Sequence, residues 1–135
     1  MDSGQEKFKV ISRGRIVEIL LDDIRYIESI DHNCVLHTEN GLIETGASMT
    51  LKMLEAFLPS PRFIRCHNSY IVNLNHVVSV GKSFVLKSGE EVAISRIGFA
   101  KWRKRAYDFK GWVLEEPEKK RPAAAEAAAE ESEQA

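Results

Sequence analysis

Phe63-Ile64-Arg65-Cys66-His67-Asn68-Ser69-Tyr70-Ile71-Val72-Asn73 sets two apolar runs on either side of five mostly polar residues. A core strand does not carry such an interruption, so the pattern predicts strands over Phe63–Arg65 and Tyr70–Val72 joined by a polar loop. Arg65, His67, Asn68 and Ser69 offer directional hydrogen bonds suited to phosphate oxygens or base edges, and asparagine can pair bidentately with adenine. The same side chains would serve equally to satisfy the backbone of their own loop.

Outward from this stretch the period-two signal continues in both directions. Upstream, strands are predicted over Lys7–Ser12, Arg15–Leu20, Ile24–Ser29, Asn33–Thr38 and Leu42–Ala47, punctuated by Arg13-Gly14, Asp22-Asp23, Asp31-His32-Asn33 and Glu39-Asn40-Gly41. Asn40-Gly41 is the best hairpin signal, because both residues tolerate the positive φ of a type I′ turn. Downstream, strands are expected over His76–Val80, Ser83–Leu86 and Glu91–Ile94. Two segments switch to helical spacing. After Ser48, a candidate N-cap, Leu51, Leu54, Phe57 and Leu58 form an apolar stripe that should cover an open sheet face, and Pro59 ends it. A second helix is predicted over Ile97–Phe109.

With 135 residues the chain has room for one domain. An N-terminal extension over 1–6, a domain over 7–112 and an acidic Ala/Glu-rich tail over 113–135 are expected, the tail being too polar to bury a core and so disordered or weakly helical. The net charge of −1 hides an asymmetry. Glu115–Ala135 carries seven acids against three bases, a net −4, which leaves +3 for residues 1–114. Within that body, Arg96, Lys101, Arg103, Lys104, Arg105 and Lys110 face only Asp108, a local +5. Such a run is either a solvated helix face or a phosphate-binding patch, and its locality matters because exposed charges are screened beyond ~8–10 Å.

Four features together resemble the LytTR family of DNA-binding domains found in bacterial transcription regulators. They are Phe63-x-Arg65-Cys66-His67-Asn68-Ser69-Tyr70-x-Val72-Asn73, the early strand Asp22-Asp23-Ile24-x-Tyr26-Ile27-Glu28-Ser29, the Asn40-Gly41 hairpin, and Val92-Ala93-Ile94-Ser95-Arg96. Their order also agrees, over roughly Lys7 to Ala106. The resemblance implies a mainly β, elongated antiparallel fold of small stacked sheets with one short helix and a C-terminal helix, laying loops along one face of a DNA duplex. By the same resemblance Asp31, His32 and Asn33 in the first loop, and Ser95 and Arg96 in the last, reach successive major grooves. His32 and Asn33 compete for one role. His67 and Asn68 sit over the minor groove between. Arg96 suits guanine O6 and N7, or else a surface ion pair, while Lys101, Arg103, Lys104 and Arg105 suit phosphates. Tyr70, Trp102 and Trp112 are expected to pack, with Trp112 the better candidate for a partner contact.

Other chemistry has less behind it. Cys34 and Cys66 match no zinc or disulfide spacing and should stay reduced, and His32 and His37, five apart, fall on opposite faces of a strand. Motifs for nucleophilic, nucleotide-dependent or metallopeptidase catalysis are missing, so no enzyme activity, cofactor or metal is expected. The alternative reading is a non-catalytic β-domain mediating RNA or protein interaction, but strands with interleaved aromatic and basic residues, which RNA stacking needs, are not present. No apolar run nears the ~18–20 residues of a membrane span, and the N-terminus lacks a signal peptide, which points to the cytoplasm without membrane insertion. The expected partners are double-stranded DNA, bound by two copies on adjacent repeats, and a regulatory protein. With no receiver-like segment before the first strand, the chain reads as a stand-alone regulator.

Overall fold

The computed structural model describes residues 6–46 and 49–113. The alternating segments all become strands: β1 (Lys7–Ser12), β2 (Arg15–Leu20), β3 (Ile24–Ile30), β4 (Asn33–Thr38) and β5 (Gly41–Glu44), then helix α1 (Leu51–Phe57). After it come β6 (Phe63–His67), β7 (Tyr70–Asn73), β8 (Val77–Val80), β9 (Ser83–Leu86), β10 (Glu91–Ala93) and helix α2 (Phe99–Lys110). β4 shows the cause most plainly. Cys34, Leu36 and Thr38 are buried while Asn33, Val35 and His37 are half-buried, the two faces of a pleated strand.

The strands form three antiparallel sheets, β1-β2, β5-β4-β3-β7-β6 and β10-β9-β8. The five-stranded sheet lies between two cores. On one face Ile24, Ile27, Leu36, Phe63 and Ile71 pack with Val10 and Ile19 of the β1-β2 hairpin and with Leu51, Leu54 and Leu58. On the other, Ile64, Cys66 and Val72 pack with Val77, Phe84, Leu86 and Val92 and with Ala106 of α2. Ile71 and Val72, neighbours in β7, thus serve opposite cores, which is why that strand is apolar without alternation. The fold is the mainly β stack with two helices that the sequence implies.

Local details correct the sequence reading. β6 runs on through Cys66 to His67, because Arg65 and Cys66 stand opposite Ile71 alone: Ile64 pairs with Val72 and His67 with Tyr70. This bulge keeps Cys66 in the second core while turning the strand end toward solvent. The type I′ backbone expected at Asn40-Gly41 is found elsewhere. Only Gly41 there has positive φ (121°), and the turn between β4 and β5 is closed by Thr38, whose Oγ1 donates to Gly41 O (2.6 Å) and accepts from Asn40 N (3.1 Å). Paired positive φ occurs instead at Arg13-Gly14 (53° and 77°) and Asp31-His32 (48° and 71°), each between register partners. α1 is capped by Thr50, which accepts from Met53 N (3.2 Å), and not by Ser48, which lies outside the described residues. β5 ends at Glu44, short of the expected Ala47.

Two 3-10 turns follow β2 and β7: Leu21–Asp23 takes up the turn expected at Asp22-Asp23, while Leu74–His76 has no counterpart in the sequence reading, which took His76 for a strand residue. They are tied together by polar groups. Asp22 Oδ1 accepts from Asn75 Nδ2 (2.9 Å) and Asn73 Nδ2 (3.4 Å), with Arg62 Nη1 at 3.6 Å, and His76 Nε2 lies 2.6 Å from Asp22 O. Buried Asn73 also donates to Ile24 O (2.9 Å) and accepts from Asn75 N (3.0 Å). Desolvation pushes the Asp22 carboxyl up, but the two amide donors, Arg62 and His76 outweigh it and hold it below its ordinary value.

Candidate functional site

The β6-β7 hairpin turns at Asn68-Ser69, and its polar groups are arranged by internal bonds. Arg65 Nη2 donates to Asn68 O (2.8 Å) and lies 3.6 Å from Glu55 on α1, so this arginine braces the loop from below. Ser69 N–H donates to His67 Nδ1 (3.1 Å). That nitrogen must carry a lone pair, which leaves the proton of the neutral ring on Nε2 as an outward donor. The His67 ring leans on Tyr70 at 5.3 Å between centroids. Asn68 remains exposed, and no side-chain hydrogen bond of it is found among the described residues.

Two other segments are fastened to this turn. Ser29 N donates to Ser69 O (2.9 Å), which ties in the end of β3 and so the Asp31-His32 turn that follows. Ser95 N donates to Cys66 O (2.7 Å), which ties in the segment after β10. The result is a pair of adjoining grooves. One is lined by Ser29, His32, Thr50, Lys52, Arg65 and Asn68 among others, and the next by Glu55, Arg65, His67, Asn68, Ser95, Ile97 and Lys101 among others. Arg65 and Asn68 belong to both, so segments more than sixty residues apart in sequence, from His32 to Ser95, share one surface.

Not every expected residue lies there. Asn33 and Asp31 line a separate cleft with Arg13, Val17 and Leu42, so of the two competing residues it is His32 that faces Asn68 across the groove. Arg96 is exposed on a bend beside the second groove and does not line it; its carbonyl accepts from Phe99 N (3.4 Å). Ser69 is half-buried and contributes backbone bonds. On α2, Lys101, Lys104 and Arg105 are exposed at helical spacing, while Arg103 lies on another face with its guanidinium 5.6 Å from the Tyr107 ring. Lys101 and Arg105 stand 4.5 and 5.3 Å from the Trp102 ring, and Lys104 pairs with Asp108 (3.1 Å), an exposed pair of little energetic consequence. Tyr70, Trp102 and Trp112 are partly buried against the second core, as packing residues should be.

The sequence reading missed Thr50, Lys52 and Ile97. α1 was expected only to cover a core, yet of its polar positions Lys52 lines the first groove and Glu55, three residues on, lines the second. The cysteines are buried and unpaired, and burial pushes the Cys66 thiol up to about 12. Among the described residues no group of three or more His, Cys, Asp or Glu is placed to hold a metal, and no helix is long and apolar enough to cross a membrane.

Comparison with known proteins adds three findings. The family model described as the LytTr DNA-binding domain matches residues 14–106. The chain is 32% identical over 87 residues to the sensory transduction protein LytT of Bacillus anthracis, covering 60% of this chain and 35% of that protein. It is also 32% identical over 82 residues to accessory gene regulator protein A of Staphylococcus aureus, covering 58% and 32%. The chain therefore spans about a third of the length of these relatives. A solved structure, the LytTr DNA-binding domain of a methyl-accepting/DNA response regulator from Bacillus cereus, superposes with a TM-score of 0.64 at 24% identity, over 76% of this chain and 97% of that one, a likeness of fold.

Proposed function

The chain belongs to the LytTr DNA-binding domain family, and from that premise we propose that it regulates transcription by binding double-stranded DNA sequence-specifically along the rim made of the Asp31-His32 turn, the His67–Ser69 turn and the Ser95–Ile97 bend. The observation that carries this reading is the pair of grooves joined at Arg65 and Asn68, which gives three sequence-distant polar turns one common face. Each turn has its own task. His32, projected by its left-handed backbone, and Arg96, exposed on its bend, reach into successive major grooves, and Arg96 donates both arms of its fork to a guanine. Asn68 and the Nε2–H of His67 lie over the minor groove between them. Lys52, Lys101, Lys104 and Arg105 take phosphates and set the register without reading sequence.

Turns entering grooves on one side of a duplex favour a bent DNA, and two copies on adjacent repeats would extend the contact. Arg65, held between Asn68 O and Glu55, orders the central turn and does not read bases. In the cell such a protein works in the cytoplasm, where a regulatory protein partner controls its access to DNA.

Selection from a random duplex library tests the proposal. Enrichment of a repeated motif is expected, with affinity falling steeply as salt rises because each neutralised phosphate releases counterions. A library that stays random after selection, with equal affinity for all duplexes, overturns it.

A further inference from the structure

The sequence between Arg96 and Gly98 holds an apolar side chain where a polar one would be expected. Ile97 is 98% exposed, the most solvent-accessible of the large hydrophobic residues described. Single exposed apolar residues are ordinary on protein surfaces, so exposure alone says little. Its setting says more. Ile97 and Gly98 occupy the middle of a turn closed by Phe99 N donating to Arg96 O (3.4 Å). At Gly98, the N-cap of α2, the Trp102 side chain folds back against the turn, so that a Cβ there would come within 2.7 Å of Trp102 Nε1 and 3.2 Å of its Cδ1. Ile97 itself belongs to neither core and stands along the second groove with Asn68, Ser95, Lys101 and Trp102. A β-branched side chain has few χ1 states, so little order is lost when it docks.

We infer that Ile97 reads the 5-methyl group of a thymine in the base pair adjoining the guanine met by Arg96. The inference rests on the DNA reading above. The thymine methyl is the one apolar group that the base edges present in the major groove, and apolar side chains recognise it. Consecutive Cα atoms are ~3.8 Å apart and base pairs rise by ~3.4 Å, so neighbouring residues on one bend fall on neighbouring pairs. Arg96 and Ile97 together then specify a guanine beside a thymine: a fork of donors for one, a hydrocarbon surface for the other.

The test replaces each thymine of the selected duplex in turn by 2′-deoxyuridine, which removes only the methyl, and measures affinity for the native protein, Ile97→Ala and Arg96→Ala. The native protein should lose about fourfold at one position, the effect of taking one methyl-sized apolar group out of contact. Ile97→Ala should bind the thymine duplex more weakly by a similar factor and no longer distinguish it from the uracil duplex. Because Ile97 touches so little of the fold, its melting temperature should not change. Native protein indifferent to every methyl, or Ile97→Ala that keeps the preference, overturns the inference. So does an Ile97→Ala protein that keeps the preference but loses self-association, which would assign the side chain to a protein contact. If Arg96→Ala loses selectivity while methyl sensitivity never resided in Ile97, only this inference fails. If no duplex is preferred by any of the proteins, it fails together with the DNA reading.

Discussion

The β6-β7 hairpin is polar at both ends, and the two ends have opposite fates. At its open end Arg62, Asn73, Asn75 and His76 gather around Asp22, and their polar groups are engaged within the domain: with Asp22, with nearby backbone and, for Arg62, with Glu6 as well. At its turn His67, Asn68 and Ser69 spend mainly backbone groups and one ring nitrogen on internal bonds, leaving the Asn68 amide and the His67 Nε2 edge facing a groove. Residue type does not separate these ends, since asparagine, histidine and arginine stand at both. Burial and prior engagement do. A buried donor already matched to an acceptor stabilises a fold, whereas the same donor held rigid at a rim is available to a ligand.

The contrast is broken most forcefully at the open end. Asn73→Ala removes the donor to Ile24 O and the acceptor for Asn75 N from a fully buried site, and should destabilise the domain by about 3 kcal/mol, as unsatisfied buried groups do. Denaturant unfolding should show that loss, while the fraction still folded keeps its DNA affinity. At the turn and its neighbour the pattern should invert. Asn68→Ala or Arg96→Ala should cost about 1–3 kcal/mol of binding on the selected duplex, change non-specific binding little and leave the unfolding midpoint near that of the native protein. Equal losses on selected and random DNA would demote both to phosphate contacts.

A smaller effect is expected from the acidic segment Glu115–Ala135, which lies outside the described residues. Its net −4 opposes the +3 of the remainder and the +5 of Arg96–Lys110, and it can compete with DNA for the basic face. Truncation after Leu114 should tighten binding several-fold at low salt, an effect fading as salt screens it. Unchanged affinity in a low-salt titration would remove the tail from the account.

Much of this fold is legible in the chain because period-two burial is local. β1, β2, β4 and β9 begin and end where the alternation does, and Leu51, Leu54 and Leu58 declare the covered face of α1, whereas Phe57, expected in the same stripe, is exposed. The bulge at Arg65-Cys66 is not legible, since one extra residue leaves the apolar pattern intact while shifting the partner strand. Nor is the 3-10 turn Leu74–His76, three residues long and tied to Asp22 some fifty positions away; of the matching turn at Leu21–Asp23 only the break at Asp22-Asp23 could be read. Asp31-His32 was seen as a loop but not as the type I′ turn, because neither residue is glycine and the strain of positive φ is imposed by the β3-β4 register. Of the site, the motif residues were visible as an odd polar run. What joined His32 to them, and set Asn33 aside, was the folding of separate segments onto one rim, which no spacing records.

The central claim is that one rim, and not the polar cluster at the other end of the same hairpin, meets DNA. Backbone amide shifts followed by NMR while the selected duplex is titrated in test it directly. The account predicts large changes at His32, Asn68, Arg96 and Ile97, with Asn73, Asn75 and His76 unmoved. Changes concentrated around Asn73 and His76, or the same small drift everywhere, would contradict it.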